Sequence, residues 1–384
     1  MSLHRHVVSC LITILLTGSS ATATEFFWAI QEVASSPQRG GSSIQTSGDP
    51  VLAMRNGRVW PTIFTQGGGS IAQFSTGWYD ITPNNQPLYP PFAPRPLRAA
   101  SSPTGQVAVA AYGSGSTGPF TSTDGVILTS SGFTPLPEGT LAIDYTPGGT
   151  PVIAIEDFGS GETQVLGLPD IPNFDEVVDL AASPFGEVAV ITDDDVFYEY
   201  SPLLGEWQSL DLFDIGFTNI VQESLAIEYD ALGRPHIIGI RNSSPSNRLI
   251  AADFNPATGW IVTDVTAAAL PANLRLESRY LEFDNTTGET VGTAVTVFNN
   301  DTFSDELYYL YFDGDTWASD FVDDEIQATD LVGIAYDFED LPVIAYVKNG
   351  SYHLAYDPIL VPEPTALVLL TLTPTILARR RRSV

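Results

Sequence analysis

The feature that most limits the possible folds is a short phrase that recurs seven times along the chain. In each copy, a turn containing Asp, Asn, Gly or Pro separates two runs rich in Val, Ile, Ala and Tyr. One turn residue of each copy serves as a marker: Gly57, Gly105, Gly149, Gly186, Gly233, Gly288 and Asp340. The markers are 37 to 55 residues apart, with a mean near 47, which is a spacing typical of four-stranded propeller blades.

The repeat predicts an all-β fold. Each phrase reads as a β-hairpin, and further strand pairs follow, as where Asp313-Gly314 separates two apolar runs. We therefore predict a β-propeller of seven four-stranded blades. The seventh copy supplies only three strands, so residues 26–33 are predicted to complete it and close the ring. A pair of eight-stranded β-sandwiches is the alternative.

The N-terminus has the pattern of a secretory signal. Residues 4–6 are basic, an apolar run follows, and Ala21 and Ala23 form an A-x-A cleavage site, which assigns residues 1–23 to the signal. Signal peptidase is the expected partner, and an uncleaved anchor is the alternative. The single cysteine, Cys10, lies inside this segment, so the mature chain would have no disulfide and no thiol chemistry.

The charge balance is strongly acidic, with 46 Asp and Glu against 16 Lys and Arg. A field of this sign repels nucleic acid and anionic membrane surfaces, so neither is expected as a partner of the body. Cations, neutral polymers or a high-salt medium suit it better. The alternative is a solvated acidic surface that keeps an exported protein soluble.

The last segment, residues 361–384, has three parts. Pro362, Glu363 and Pro364 keep the chain extended, residues 365–378 form a short apolar run, and four arginines follow. The apolar run predicts a short hydrophobic helix that would hold the chain in a membrane with residues 24–360 outside. The arginines are Arg379, Arg380, Arg381 and Arg382.

This tail resembles the PEP-CTERM sorting signal of bacterial exported proteins. The resemblance implies that Pro362, Glu363 and Pro364 are recognised by an exosortase, with the arginine cluster as the stop. It further implies delivery to the cell surface or extracellular matrix, with membrane attachment only until processing. An ordinary tail anchor is the alternative. The phrase at residues 233–237 also resembles repeats of secreted bacterial propellers of the sialidase-like and polysaccharide-lyase-like kind.

No catalytic motif is apparent in the sequence. The weak candidates are His236 and His353, because imidazole titrates near neutral pH. His236 takes the place that Val152 and Val343 hold in sister phrases, so a packing role is favoured for it. A similar role is favoured for His353, which also lies on a predicted strand.

The loops between the second and third strands of the blades are predicted to share one face and are rich in acids. Their carboxylates could bind Ca²⁺ through hard oxygen ligands, and no other cofactor is expected. A solvated acidic rim is the favoured alternative. The residues concerned are Asp157, Asp193, Asp194, Asp195, Asp301 and Asp305.

These observations favour an exported surface or matrix propeller that binds glycan or another envelope component. A polysaccharide-degrading lyase or hydrolase on the same fold is one alternative, and a purely structural surface protein is another. A cluster of His, Tyr, Arg and acids in the channel would favour the enzyme, an aromatic groove on one face would favour glycan binding, and a featureless face would favour the structural role.

Overall fold

The computed structural model describes most of the chain between residues 28 and 356. The described residues are 28–33, 50–55, 58, 60–65, 70–74, 77–80, 98–102, 106–110, 120–122, 133–135, 140–157, 162–171, 176–285, 288, 290–327, 329 and 331–356. The signal segment, the PEP-CTERM-like tail and its predicted helix lie outside them. Among the described residues, no helix has the length and apolar character needed to cross a membrane.

The described strands form seven antiparallel sheets, numbered here from first to seventh in chain order. Five of them contain four strands. The first sheet comprises β2 (Pro50–Arg55), β3 (Trp60–Thr65), β4 (Ser70–Phe74) and β5 (Gly77–Asp80). The second comprises β6 (Arg98–Ser101), β7 (Val107–Ala110), β8 (Phe120–Ser122) and β9 (Phe133–Pro135).

The fourth, fifth and seventh sheets are also four-stranded. The fourth comprises β13 (Val177–Ala182), β14 (Val188–Thr192), β15 (Val196–Ser201) and β16 (Glu206–Asp211). The fifth comprises β17 (Ala226–Tyr229), β18 (Pro235–Arg241), β19 (Arg248–Asn255) and β20 (Gly259–Asp264). The seventh comprises β26 (Gly333–Tyr336), β27 (Pro342–Lys348), β28 (Ser351–Tyr356) and the N-terminal β1 (Ala29–Glu32).

Two sheets depart from the four-stranded form. The third has three strands, β10 (Thr140–Tyr145), β11 (Pro151–Asp157) and β12 (Glu162–Val165). The sixth has five, β21 (Leu274–Leu276), β22 (Asp284–Asn285), β23 (Val291–Asn299), β24 (Ser304–Phe312) and β25 (Trp317–Asp324). The prediction that all seven blades have four strands is therefore wrong. In the described residues, only five of the sheets have four strands.

The spacing of the repeat explains both departures. The shortest interval between markers, from Gly149 to Gly186, leaves room for only three strands before the fourth sheet begins. The longest interval, from Gly233 to Gly288, also accommodates a short helix α1 (Val265–Ala269) and β21. Both β21 and β22 pair with β23, so two short segments share the first position of the sixth sheet.

The sheets are arranged as the blades of a β-propeller. Their first strands contact one another in chain order, and β26 of the seventh sheet contacts β2 of the first. Apolar side chains fill the gaps between neighbouring sheets, as where Ile238 of the fifth packs with Val295 of the sixth and Leu52 of the first packs with Val343 of the seventh. Each fully buried aliphatic side chain of this kind contributes about 1.5–3 kcal/mol.

The predicted closure by the N-terminal strand is confirmed over Ala29–Glu32. This strand pairs antiparallel with β28, with Ala29 opposite Tyr356 and Glu32 opposite His353. The N–H of Val33 extends the pairing by donating to the carbonyl of Tyr352 at 2.8 Å. The strand covers an edge of the seventh sheet that would otherwise be open.

The two ends of the propeller carry different turns. We name the strands of each sheet A to D from the centre outwards, so that A–B and C–D turns share one end, the A–B end, and B–C turns lie at the other, the B–C end. The repeat marker lies in the A–B turn, where Gly186, Gly233 and Asp340 have φ of +96°, +71° and +63°. Glycine adopts this backbone conformation without a steric cost, which explains why the marker is most often glycine.

Candidate functional site

The described residues enclose a cavity of about 400 Å³ at the centre of the ring. Its walls come mainly from the A strands, and its mouth is formed by residues of A–B turns, so it opens at the A–B end. The residues that lie in or beside these turns are Arg58, Pro147, Pro184, Ala231, Asn285 and Phe338.

Five carboxyl groups from four different sheets line the cavity, and three of them are buried while two are half-buried. They lie on or just before the A strands, among side chains that are otherwise largely apolar. The five residues are Asp144, Asp179, Glu228, Glu282 and Asp284.

Four of these carboxylates connect one sheet to the next. Each accepts a hydrogen bond from a backbone N–H on the A strand of the following sheet. The bonds run from the Ala182 N–H to Asp144 (2.7 Å), Ile227 to Asp179 (3.0 Å), Ile334 to Glu282 (2.8 Å) and Tyr336 to Asp284 (3.0 Å). Glu228 instead accepts from the side-chain amide of Asn285, in the sixth sheet, at 3.0 Å.

The geometry of a ring of sheets explains these bonds. The A strand is an edge strand, and its N–H groups on the channel side have no ladder partner in their own sheet. A buried N–H without an acceptor is costly, so a carboxylate from the preceding sheet satisfies it. The same groups therefore line the cavity and hold neighbouring sheets together.

Burial raises the pKa of all five carboxyl groups. It raises the pKa of Asp144 to about 7, and it raises those of Glu228 and Glu282 well above the ordinary value. Burial also raises the pKa of Asp179 and Asp284, although the charges of Arg98 and Arg58 respectively oppose these shifts. A desolvated carboxyl group that lacks a cationic partner favours its neutral form.

Two arginines enter the cavity. Arg98, on β6, is buried and donates to the carbonyl oxygens of Leu281 at 2.7 Å and Leu225 at 3.1 Å, across the channel. Its Nε lies 3.4 Å from Oδ1 of Asp179. Arg58, in the A–B turn of the first sheet, approaches the carbonyl of Asn285 at 3.5 Å. One arginine thus connects the second sheet to the fourth, fifth and sixth regions of the ring.

Some polar atoms of the cavity form no hydrogen bond. Within the described part of the chain, Oε1 of Glu282 and the Nε atoms of Arg58 and Arg98 are buried without a hydrogen bond. The Glu282 residue is only 6% exposed. A buried carboxylate oxygen without a donor is unusual in a folded protein and marks a place where a ligand group could bind.

Exposed apolar side chains lie around the mouth of the cavity. Phe185, Leu232 and Phe338 are in the A–B turns of the fourth, fifth and seventh sheets and are 67%, 52% and 50% exposed. The ring of Phe185 lies over Gly233, where an added Cβ would come within 2.6 Å of it. We call these three residues the apolar rim.

His236, one of the weak catalytic candidates, is buried between sheets and does not line the cavity. Its Nδ1 lies 2.8 Å from Oδ1 of Asp253, and its Nε2 lies 3.4 Å from Oδ2 of Asp230. Trp317 of the sixth sheet donates to the other oxygen of Asp253 at 2.9 Å. Burial lowers the pKa of His236, but hydrogen bonds to Asp230 and Asp253 outweigh it, so the pKa is raised overall. His236 thus has a packing and ion-pairing position.

His353 also lies away from the cavity. It is half-buried on β28, its ring centroid is 5.6 Å from that of Tyr346, and its Nδ1 lies 3.2 Å from the carbonyl of Ser351. Within the described part of the chain, neither histidine forms a hydrogen bond with any of the five cavity carboxyl groups.

The acidic loops predicted as ligand or Ca²⁺ sites lie at the B–C end, opposite the cavity mouth. Asp193, Asp194 and Asp195 form the turn after β14, and Asp193 accepts from the Glu176 N–H at 3.2 Å. Asp301 accepts from the Asn273 amide at 2.9 Å in the sixth sheet.

Asp305 lies on β24 opposite Phe298, and the side chain of Asp157 is outside the described residues. In the part of the chain that the structure describes, no three His, Asp or Glu residues are grouped to hold a metal ion. The Ca²⁺ loops stay a prediction.

Sequence reasoning missed the five cavity carboxylates. A signal for them exists, because Asp144 and Glu228 occupy the same place in the phrases LAIDY and LAIEY, in the middle of an apolar strand. An acid at a repeated position inside an apolar run is buried once the strand is buried, and it must then have a structural or ligand-binding role. The residues of the two processing signals, Ala21, Ala23 and those of 362–382, lie outside the described part.

Comparisons with known proteins give neighbours in fold but no family. No family model matches the chain, and no curated protein matches it. A solved structure described as "YCF48 bound to D1 peptide" is 14% identical over 86% of this chain and 94% of that one, with a TM-score of 0.47. The Cps50 (Swd1) β-propeller domain of Myceliophteria thermophila is 11% identical over 82% and 98%, with a TM-score of 0.46. The sheet arrangement of this chain is itself that of a β-propeller.

Proposed function

We propose that this protein is an exported binding module of the cell surface or extracellular matrix, which takes a glycan or another envelope component at its A–B end. The observation that carries the proposal is the apolar rim of Phe185, Leu232 and Phe338 around a polar cavity of about 400 Å³. Apolar and aromatic walls with a few polar groups are typical of sites for small ligands. Sugars suit such a site because they have apolar ring faces and many hydroxyl groups.

The proposal places the binding face at the opposite end from the loops that the sequence suggested. Phe185 and Phe338 supply exposed aromatic faces, and aromatic side chains combine a large apolar surface with a rigid shape. The acidic B–C loops would then serve as solvated surface, which agrees with the alternative reading of their composition.

The two ends of the chain support export and processing. The A-x-A site at Ala21 and Ala23 favours cleavage by signal peptidase, and the motif Pro362-Glu363-Pro364 with its arginine cluster favours processing by an exosortase. In this proposal the chain is attached to the membrane only through residues 361–384 and only before processing. The mature propeller would then function at the surface or in the matrix.

The proposal is tested by electrophoresis of the purified exported protein in native gels that contain different polysaccharides. Retardation in one gel would identify the ligand class, and Phe338→Ala and Phe185→Ala should each reduce it. Phe213→Ala is the matched control, because Phe213 is 68% exposed but lies beside the Asp195 turn at the B–C end. Migration unchanged in every gel would contradict the proposal and favour a structural role.

A polysaccharide-degrading enzyme is the second candidate, and the carboxyl cluster favours it. Several acids with raised pKa, with Arg98 and Tyr145 beside them, are the kind of group found in active sites. Against it, four of the five carboxylates already accept backbone hydrogen bonds between sheets. Release of reducing ends or unsaturated products from a polysaccharide that retards the protein would decide for the enzyme.

A further inference from the structure

We propose that the central cavity binds the ammonium group of an amine ligand, with Glu282 as its main ion-pair partner. This inference rests on the proposed function, since it names the chemistry that the A–B end would recognise. The ammonium group could belong to an amino sugar within a glycan or to a free polyamine, and the experiment below separates these sources.

The ionisable side chains of the cavity are mainly acidic. Six carboxyl groups line it, the five described above and Asp337 near the mouth, against two guanidinium groups. Arg98 is engaged with two carbonyl oxygens and with Asp179, so it neutralises one acid at most. With carboxyl groups in excess, a bound cation would stabilise their ionised forms, whereas a bound anion would disfavour them further.

One oxygen of the Glu282 carboxyl group is left without a hydrogen bond among the described residues. Oε2 of Glu282 accepts from the Ile334 N–H at 2.8 Å, whereas Oε1 is buried without a well-formed hydrogen bond, and the Leu52 N–H is the one other backbone donor close enough to lower the pKa of this carboxyl group. Glu282 is 6% exposed, so its carboxyl group is largely withdrawn from bulk solvent. A bound N–H donor would complete its coordination, and a charged donor would do so most strongly.

The cavity suits an organic cation better than a bare metal ion. Among the described residues no three acids are close enough to coordinate a bare metal ion. The carboxyl groups surround a space of about 400 Å³, which is the size of a site for a small organic molecule. An ammonium group carried on such a molecule can bond to Glu282 while the remainder of the ligand reaches the apolar rim.

The pKa values of the cavity carboxyl groups agree with a missing cation. Burial raises the pKa of the five deeper carboxyl groups, as expected for acids that lack enough cationic partners. A cation that enters the cavity would lower these values again. This behaviour agrees with an incomplete ion-pair network that a ligand completes.

The experiment is isothermal titration calorimetry of the purified exported protein with three ligands near neutral pH. Glucosamine and N-acetylglucosamine differ in charge at one nitrogen, and spermidine carries amines without a sugar ring. We expect glucosamine to bind at least about tenfold more tightly than N-acetylglucosamine. Binding of spermidine but not glucosamine would assign the site to polyamines, and stronger binding of glucosamine than spermidine would assign it to amino sugars.

The matched variants are Glu282→Gln and Asp194→Asn. Each replaces a carboxyl group with an amide of the same size, but Glu282 lies in the cavity and Asp194 is exposed at the B–C end. Glu282→Gln keeps an oxygen for the Ile334 N–H and should weaken amine binding at least about tenfold, while Asp194→Asn should leave it unchanged. Thermal unfolding would establish that both variants fold, and the comparison of ligands on the unsubstituted protein needs neither variant.

Three results would overturn the inference: binding of glucosamine and N-acetylglucosamine with equal affinity, failure of both glucosamine and spermidine to bind, or unchanged amine affinity in Glu282→Gln. The proposed function fails separately, because retardation by a neutral polysaccharide that depends on Phe338 would support it even where no amine binds.

Discussion

The A–B end and the B–C end of the propeller use acidic residues in opposite ways. At the A–B end, the half-buried Asp144 and the buried Glu282 lie on or beside A strands, and each accepts a hydrogen bond from a backbone N–H of the next sheet. At the B–C end, Asp193, Asp194 and Asp301 lie in surface turns, where their hydrogen bonds are local or reach only one neighbouring loop. The structural role of an acidic residue therefore depends on its position in the repeat and not on the number of acids nearby.

The physical cause is the exposure of edge N–H groups to a narrow channel. A turn at the surface can leave its N–H groups to water, whereas an A strand facing a buried channel cannot. Substitution of a polar group near the A–B end should therefore change stability more than substitution of a matched group elsewhere.

The largest effect is expected for Arg98→Met. The substitution leaves Asp179 without its cation and the carbonyls of Leu225 and Leu281 without their donor, all in buried positions. Removal of one partner from a buried ion pair costs about 3–5 kcal/mol in free energy of unfolding. Urea denaturation measures this loss.

The control for Arg98→Met is Arg275→Met. The Arg275 guanidinium pairs with Glu277 at 2.5 Å, but the two side chains are 49% and 30% exposed. An exposed pair of this kind contributes less than about 1 kcal/mol. Similar losses for both variants would mean that the channel arginine does not hold the sheets together.

The next effect is expected for His236→Gln, which removes the imidazole between Asp230 and Asp253. Because the pKa of His236 is raised in the folded state, its charged form contributes stability that is fully present below about pH 6.5 and is lost as the pH rises through the folded pKa. We expect a loss of about 2–4 kcal/mol below that pH and a smaller loss above the folded pKa.

The measurement is urea denaturation of both proteins across this pH range. Other charged groups near the ring are Arg234, which pairs with Asp230, and Glu228, which is opposite His236 in the strand register. His353→Gln is the control, since His353 is half-buried and its Nδ1 lies beside the backbone carbonyl of Ser351 at 3.2 Å and not beside a carboxylate. A loss for His236→Gln that does not depend on pH would show that its charge is not involved.

A third substitution, Asp144→Asn, should stabilise the protein. The pKa of Asp144 is raised by burial from 3.8 to about 7, so the folded state binds the proton more tightly than the unfolded state does. Stability of the unsubstituted protein therefore falls as the pH rises from about 4 to about 7, by up to about 4 kcal/mol from this group. Asparagine keeps an oxygen for the Ala182 N–H and does not ionise.

We expect Asp144→Asn to gain about 1–3 kcal/mol over the unsubstituted protein near neutral pH and to lose that advantage in acid. Denaturation curves at both ends of this range measure the difference. Asp194→Asn, at the exposed B–C turn, should show no such trend. A destabilised Asp144→Asn at neutral pH would indicate that a cation already compensates the carboxylate.

Much of the fold could be predicted from the repeat because the repeat encodes local constraints. Each A–B turn needs a residue that tolerates positive φ, and Gly186, Gly233 and Asp340 mark it. The edge left open in the last sheet predicted its completion by an N-terminal strand, and Ala29–Glu32 fills that position. The unequal intervals between repeat markers also account for the three-stranded and five-stranded sheets.

The site could not be predicted in the same way because it is assembled from distant residues. Arg98, Asp179 and Glu282 are brought together only when three sheets meet at the channel. Counting acids by segment pointed to the B–C loops, since several of the cavity acids are single residues inside apolar strands. A repeat alignment that tracks polar residues within the apolar strand could find Asp144 and Glu228.

The smallest effect is expected for Ser183→Ala, in the A–B turn of the fourth sheet. The Ser183 hydroxyl is buried and accepts from the N–H groups of Phe185 at 3.0 Å and Glu187 at 3.1 Å. Loss of that acceptor should cost about 1 kcal/mol and speed amide exchange at Glu187. Thr302→Ala, which removes an exposed hydroxyl at the B–C end, should change the free energy of unfolding by less than about 0.5 kcal/mol. Equal effects would mean that the A–B turns are no more dependent on side-chain anchors than the B–C turns, and the contrast between the two ends would then hold for the channel carboxylates alone.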